Sequence, residues 1–194
     1  TIGIPGVVAG LIKLHEENGV LDLKTVMEPS ISLAEDGFYL YPGEIKRQQS
    51  DKEKIESFEG TKLYFLNSEG ESFRPGDKLV QKDLANTLKI ISSEGKKGFY
   101  EGYVAKSIEN DMKKNGGLIT RADLKNYDPV WRLPLISDYR GNKVITMGPP
   151  SSGGVHIIQM LNVLENYQLN SYVHNSPEYI NILGEVMKLS LIHI

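Results

Sequence analysis

The sequence predicts a helix-rich α/β fold, and three patterns carry that prediction. Apolar residues recur every three or four positions in Val7 to Leu14, in Leu84, Leu88 and Ile91, and in Val104, Ile108 and Met112, the spacing that lines them up on one face of a helix. Alternating and β-branched residues flank Arg140-Gly141-Asn142, which reads as two strands joined by a tight turn. Thr120-Arg121-Ala122-Asp123 has the form of a capping box with Asp in place of the usual Glu: the hydroxyl accepts an orphan backbone N–H and the carboxylate three residues on returns a bond.

The elements follow in order. Pro5 stands where a first helical turn begins, and the stripe of Val7, Val8, Leu11, Ile12 and Leu14 ends at Asn18-Gly19, a common C-terminal stop. Asp22 opens a second helical stretch, which Pro29 is expected to divide from a short helix stopping at Gly37. Residues 44–57 are rich in Lys, Glu, Gln and Asp with only Ile45 and Ile55 as apolar anchors, so they predict an exposed helix or a connector. Leu63 to Leu66, then Asn67-Ser68-Glu69-Gly70 and Arg74-Pro75-Gly76-Asp77, suggest a small surface hairpin and a turn.

Helical spacing returns from Asp83 and again after Phe99-Tyr100, the second helix stopping at Asn115-Gly116. Strands are predicted over 132–139 and 143–147. Pro149-Pro150-Ser151-Ser152-Gly153-Gly154 breaks the second strand, and Val155 to Leu164, apolar nearly all round, predicts a helix buried on most sides. Ser176-Pro177 caps a last helix carrying Tyr179, Leu183, Val186 and Met187.

Composition narrows the function classes. The 194 residues carry 22 Lys+Arg against 25 Asp+Glu, a formal net charge of −3, which argues against a nucleic-acid partner. With 40% hydrophobic and 24% charged residues the chain has the composition of a soluble globular protein. No stretch approaches the roughly 20 apolar residues of a membrane span. Cysteine is absent, which removes disulfides, thiolate metal sites and Cys nucleophiles and leaves the compartment open.

The two ends carry their own expectations. Thr1-Ile2-Gly3-Ile4-Pro5-Gly6 has no initiator Met and no signal-peptide pattern, so the natural N-terminus is expected upstream. The last six residues, Leu189-Ser190-Leu191-Ile192-His193-Ile194, equal the translation of the mosaic-end sequence of a transposase sequencing adaptor. Residues 189–194 are therefore expected to be a non-native tail, against the plainer reading of an apolar helix end.

Few constellations could carry chemistry. Ser151-Ser152-Gly153-Gly154 lies between a strand and a helix, yet it completes neither a Gly-x-Ser-x-Gly elbow nor a P-loop, since Val155-His156 stands where the loop needs Lys followed by Ser or Thr. His156, four residues after Ser152, suggests a Ser–His pair, while the plainer reading has Ser151 or Ser152 capping the helix. His15-Glu16-Glu17 lacks a second His four residues on, and His174 has no carboxylates at ligand spacing, so no metal is expected. Thr1 has the chemistry of an N-terminal nucleophile, but the residues after it lead into an apolar helix. Lys96-Lys97 and Lys113-Lys114 are offset by Glu94, Glu101, Glu109 and Asp111, so they read as solvated faces.

The order of motifs says more. Gly3-Ile4-Pro5-Gly6-Val7-Val8-Ala9-Gly10, the Leu-Ala-x-x-Gly-Phe within Pro29 to Phe38, Gly76-Asp77-Lys78-Leu79-Val80-Gln81 leading into Asp83-Leu84-Ala85, and Gly98-Phe99-Tyr100-Glu101-Gly102 resemble the large subunit of γ-glutamyltranspeptidases. The resemblance continues through Gly116-Gly117-Leu118-Ile119-Thr120, Asp123-Leu124, Tyr127, Tyr139-Arg140-Gly141 and the Pro149 to Gly154 turn, in register from Gly3 to Lys188. It implies that residues 1–188 are the middle-to-late part of a large subunit, within the αββα sandwich of the N-terminal-nucleophile hydrolases.

That family's precursor cleaves itself to expose a Thr on a small subunit. The Thr carries a γ-glutamyl group from glutathione or a related amide to water or to an amino acid or peptide. The resemblance implies a heterodimer with that small subunit, a γ-glutamyl small-molecule substrate, no cofactor, and export to the periplasm or outside. It places the catalytic Thr, the oxyanion glycines and the α-amine ligands on the small subunit and the α-carboxylate Arg upstream, so no catalytic, cofactor or metal residue is assigned within 1–194. The chain alone is expected to be inactive and, with apolar faces exposed, poorly soluble. Two other classes stay open: a helical binding or scaffold protein, and a related acylase, either a cephalosporin acylase or a capsule-processing transpeptidase.

Overall fold

The computed structural model describes residues 3–192; Thr1, and with it the N-terminal-nucleophile reading, and His193-Ile194 of the expected tail lie outside them. The chain divides into two units, Thr1–Pro129 and Val130–Ile194.

The first unit is built from short helices. α1 (Val7–Asn18) is followed by α2 (Leu23–Asp36), strand β1 (Phe38–Tyr39), α3 (Pro42–Ser50), α4 (Lys52–Glu56), α5 (Glu59–Phe65) and strand β2 (Lys78–Leu79). α6 (Lys82–Glu94), α7 (Lys96–Tyr100), α8 (Tyr103–Lys114) and α9 (Arg121–Lys125) complete it. Its main core gathers Ala9, Tyr100, Ala105, Ile119 and Leu124, and each large side chain so buried contributes about 1.5–3 kcal/mol. A smaller core of Leu40, Ile45 and Leu79 sits beside the β1–β2 pair.

The Asp22 and Thr120 caps form as read. Asp22 Oδ1 accepts the Thr25 N–H at 3.0 Å. The capping box is complete, with Thr120 Oγ1 accepting from Asp123 N–H at 3.2 Å and Asp123 Oδ2 accepting from Thr120 N–H at 2.9 Å.

Pro29 does not divide the second helix: α2 runs unbroken from Leu23 to Asp36 with Pro29 inside it. The proline removes one helical hydrogen bond and crowds the carbonyl four residues back, at a cost of about 3 kcal/mol. Packing holds the helix together across it. Ile31 and Ala34 are buried on the face that meets α6, the Ala34 carbonyl accepts Gln81 N–H at 2.9 Å, and Glu35 pairs with Lys89.

The expected hairpin is present only as one antiparallel bridge, Leu66 with Ser72, around the Asn67–Gly70 turn. Leu63, Tyr64 and Phe65 are helical, in α5, and the strand lies later, where Lys78–Leu79 pairs antiparallel with Tyr39–Phe38. A four-residue apolar run fits either period, and helix wins here because the Phe58 carbonyl accepts the Thr61 and Lys62 N–H groups and Glu59 pairs with Lys62. Both turns stand as read. Asn67 Oδ1 accepts the Glu69 and Glu71 N–H groups, and Asp77 N–H reaches the Arg74 carbonyl at 3.0 Å with Gly76 at φ 92°. Residues 44–57 form two helices, with Ile45 and Ile55 buried as their anchors.

In the second unit, β3 (Leu135–Tyr139) and β4 (Asn142–Thr146) form an antiparallel hairpin in which Ile136 faces Ile145 and Ser137 faces Val144. Its two-residue loop, Arg140-Gly141, has φ of 49° and 79°, the positive values a type I′ turn demands. α10 (Gly153–Leu164) packs on β3 and on α11 (Pro177–Ile192), with a 3-10 turn at Leu169–Ser171 between them. Ser176 Oγ accepts Tyr179 N–H at 3.2 Å, so the last helix is capped as predicted. Leu189 to Ile192 continue α11.

α10 is less buried than its sequence predicts. Val155 and Ile157 are 41% and 43% exposed, because the described residues cover only the side turned to β3 and α11. Val7, Leu11 and Leu14 of α1 are likewise exposed, as are Ile136 and Ile145 of the hairpin. Among the described residues no helix is long and apolar enough to cross a membrane.

Candidate functional site

The turn between β4 and α10 is where the sequence offered a nucleophile. After Thr146 the chain passes through Met147 and Gly148 into the cis Pro149-Pro150 bond and two serines. Ser151 N–H closes the turn on the Gly148 carbonyl at 3.2 Å. Gly154 then enters α10 directly against the strand end: a Cβ there would lie 2.0 Å from the Met147 carbonyl oxygen and 2.9 Å from Thr146 Oγ1. Gly153 is different, since its Cβ would meet only Ser151 Oγ at 3.6 Å, an ordinary contact. Of the two turn glycines, one is demanded by close backbone approach.

Neither serine acts as the sequence suggested. Ser152 is the helix N-cap but makes no side-chain capping bond, because its backbone is already αR where a capping side chain needs an extended one. Ser152 and His156 share only the helical bond from His156 N–H to the Ser152 carbonyl, at 3.1 Å. The His156 ring turns instead to α11, with Nδ1 2.7 Å from Ser190 Oγ. Ser190 is 1% exposed, and its hydroxyl donates to Gln159 Oε1 at 3.3 Å. Buried and so bonded, Ser190 has the role of a polar bridge between two helices and no access for a substrate.

The other candidates are occupied by structure. His15 Nε2 lies 2.8 Å from the Leu21 carbonyl, a bond that ties the loop after α1 to the helix end. His174 packs against the Tyr179 ring at 5.7 Å between centroids. Among the described residues no group of three His, Cys, Asp or Glu side chains has a metal-binding arrangement. Lys96 pairs with Asp128 at 2.9 Å and Lys113 with Glu109 at 3.0 Å, while Glu101 takes Lys125 at 3.7 Å. Lys96 lowers the Asp128 pKa by hydrogen bond and charge, with Lys13 adding to it. The Arg121 N–H and then Lys113 lower that of Glu109. These are structural ion pairs on exposed faces.

Periodicity gave no sign of Tyr100. Its ring is 1% exposed in the main core, and its hydroxyl donates to the Pro5 carbonyl at 2.6 Å while accepting the Ala9 N–H at 3.1 Å. It thereby satisfies an orphan donor at the start of α1, and burial raises its pKa. Gly6 leaves room for Tyr127, whose hydroxyl would lie 2.3 Å from a Cβ at that position, whereas Gly3 and Gly10 face open space. Within the Gly3 to Gly10 segment, close packing therefore rests on Gly6. The geometry is that of a framework, with no nucleophile–base pair of its own among the described residues.

The gamma-glutamyltranspeptidase family model matches residues 1–193. The chain belongs to the gamma-glutamyltranspeptidase family. It is 41% identical over 189 residues to the glutathione hydrolase proenzyme of Escherichia coli (strain K12), a match that covers 96% of this chain and 32% of that protein. It is 35% identical over 189 residues to the acylase ACY 1 proenzyme of Pseudomonas sp. (strain V22), covering 97% of this chain and 34% of that one. The crystal structure of Helicobacter pylori gamma-glutamyltranspeptidase superposes with a TM-score of 0.94 at 42% identity, over 97% of this chain and 54% of the other. The helix-rich chain is thus part of the N-terminal-nucleophile hydrolase fold that this gamma-glutamyltranspeptidase shares with related acylases. The chain spans about a third of the length of the relatives it matches.

Proposed function

We propose that the chain is a large-subunit segment of a proenzyme that transfers the γ-glutamyl group of glutathione or a related amide to water or to an amino acid or peptide. The observation that carries this reading is the 41% identity, across 96% of the chain, to a glutathione hydrolase proenzyme. In the proposed reaction a Thr Oγ, freed by self-cleavage outside this segment, attacks the γ-carbonyl carbon while its own α-amine takes the hydroxyl proton. Oriented donors hold the oxyanion. The C–N bond breaks, the leaving amine takes a proton from the α-ammonium, and the acyl-enzyme passes its γ-glutamyl group to water or an acceptor amine.

The part of this segment is mechanical. The glycine turn at Gly154 and the Tyr100 bridge fix α10 and α1, whose exposed apolar residues Val155 and Ile157, Val7 and Leu11, together with Ile136 and Ile145 of the hairpin, suit packing against the rest of the polypeptide, including a small subunit from the same precursor. On this reading the segment alone is inactive and the whole protein is exported.

The experiment is expression of the full gene and assay of a γ-glutamyl anilide for arylamine release, beside a cephalosporin side-chain amide. Turnover of the γ-glutamyl compound supports the reading. Turnover of the cephalosporin alone moves it to the acylase reading, which the 35% identity to an acylase proenzyme favours as the second choice. Absence of both activities and of self-cleavage leaves a binding or scaffold role.

A further inference from the structure

The first unit holds a cleft of about 750 Å³ between α3, α5 and the β1–β2 pair, within the range of roughly 300–1,000 Å³ typical of small-molecule sites. Its floor is apolar, formed by Leu40, Leu79, Phe38, Ile55 and Phe65. One wall is a single face of α3 continued by its cap, where Glu44, Arg47, Gln48 and Asp51 recur three and four residues apart. Gln48 Oε1 is, among the described residues, the buried side-chain polar atom left without a hydrogen-bond partner. Such atoms are paired in the great majority of cases, so an acceptor left unpaired inside the cleft wall gains a bond when its carboxamide turns to a donor held in the cleft. The Arg47 guanidinium makes no ion pair or hydrogen bond among the described residues. Glu44 gives one oxygen to the Tyr41 N–H and Asp51 one to Lys54, and each keeps a second.

We propose that this cleft binds a small zwitterion with an apolar body, of which a free aliphatic or aromatic α-amino acid is the simplest member. Its carboxylate pairs with Arg47, its ammonium donates to Gln48 Oε1 within the field of Glu44 and Asp51, and its side chain covers the apolar floor. The mixed signs on the α3 wall select against a plain anion, which meets the Glu44 and Asp51 carboxylates, and against a plain cation, which meets the Arg47 guanidinium. Rotation of the Gln48 carboxamide about its terminal torsion, which is soft, turns the oxygen from the wall to the ligand.

The test is equilibrium dialysis of the full-length mature protein with labelled L-leucine, with leucinamide and N-acetyl-leucine as competitors. Arg47→Ala and Gln48→Leu are measured in parallel for binding, turnover and melting temperature. The proposal predicts saturable binding, competition about tenfold or more weaker from each blocked analogue, and a similar loss of leucine affinity in each variant, the scale of one charge-assisted hydrogen bond. Turnover and melting temperature stay unchanged. Equal binding in wild type and folded variants would place the amino acid elsewhere and overturn it. Absence of binding, as when another part of the polypeptide fills the cleft, would overturn it too. Should a variant not fold, the analogue comparison on the unaltered protein decides: competition as strong as that of leucine overturns the proposal. Binding is read without catalysis, so its failure is separable from failure of the γ-glutamyl reading.

Discussion

The Tyr100 hydroxyl accepts the backbone N–H of Ala9 at 3.1 Å across 91 residues of sequence, and its own proton goes to the Pro5 carbonyl. One buried side chain therefore fixes both the entry and the first turn of α1, a helix whose own N-cap, Gly6, has no side chain to offer.

Tyr100→Phe keeps the ring packing and removes the bridge, taking the hydroxyl from the buried Ala9 N–H and from the Pro5 carbonyl. The expected loss is about 1–3 kcal/mol. It is read as a lower denaturation midpoint of the full-length protein with an unchanged slope. A midpoint within error of the parent would show that water replaces the hydroxyl without cost.

The two turn glycines separate cleanly. Gly154→Ala sets a methyl 2.0 Å from the Met147 carbonyl oxygen, so strand end and helix must part, with a loss of about 3 kcal/mol or more and impaired self-cleavage on a gel. Gly153→Ala meets only an ordinary contact at 3.6 Å, and there the protein is expected to mature normally. The two variants behaving alike would contradict the close approach.

Acid should loosen the first unit by a stated route. Asp128, Asp123 and Glu109 have lowered pKa values: Asp128 chiefly through the Lys96 bond, Asp123 through Thr120, Glu109 through the Arg121 N–H. A depressed folded pKa contributes stability that is present above the ordinary values of 3.8 and 4.5 and lost as pH falls through the lower folded ones. Asp128 and Asp123 are exposed and Glu109 is half-buried, so the effect of the two aspartates is small and screened by salt. Thermal melts from pH 6 down to about 3 should show a steeper decline in the parent than in Asp128→Asn. Parallel curves would remove Asp128 from the account.

Sequence reading reached those parts of the fold whose signals are local. The Thr120 box, the Arg140-Gly141 turn and the helix stops at Gly19 and Gly116 depend on a few neighbouring residues, with the positive φ that glycine permits used at Gly141 and Gly116, and they lie where expected. It failed where distant partners decide. Pro29 predicts a break that packing of α2 on α6 overrides, and Leu63 to Phe65 have an apolar run too short to show its period. Ser152 and His156 sit at helical spacing, yet their side chains do not pair because Ser190 lies nearer to the ring. Tyr100 and Gln48 carry no local signal at all, since each matters through what surrounds it. The family was legible because its motifs keep their order along the whole chain, which needs no geometry.

The most direct test of the γ-glutamyl reading is intact mass spectrometry of the full gene product after brief exposure to a γ-glutamyl amide. The account predicts two chains from one precursor, the smaller beginning with Thr and gaining the mass of one γ-glutamyl group, and the larger, which carries this segment, unmodified. A single uncleaved chain with no adduct would contradict it.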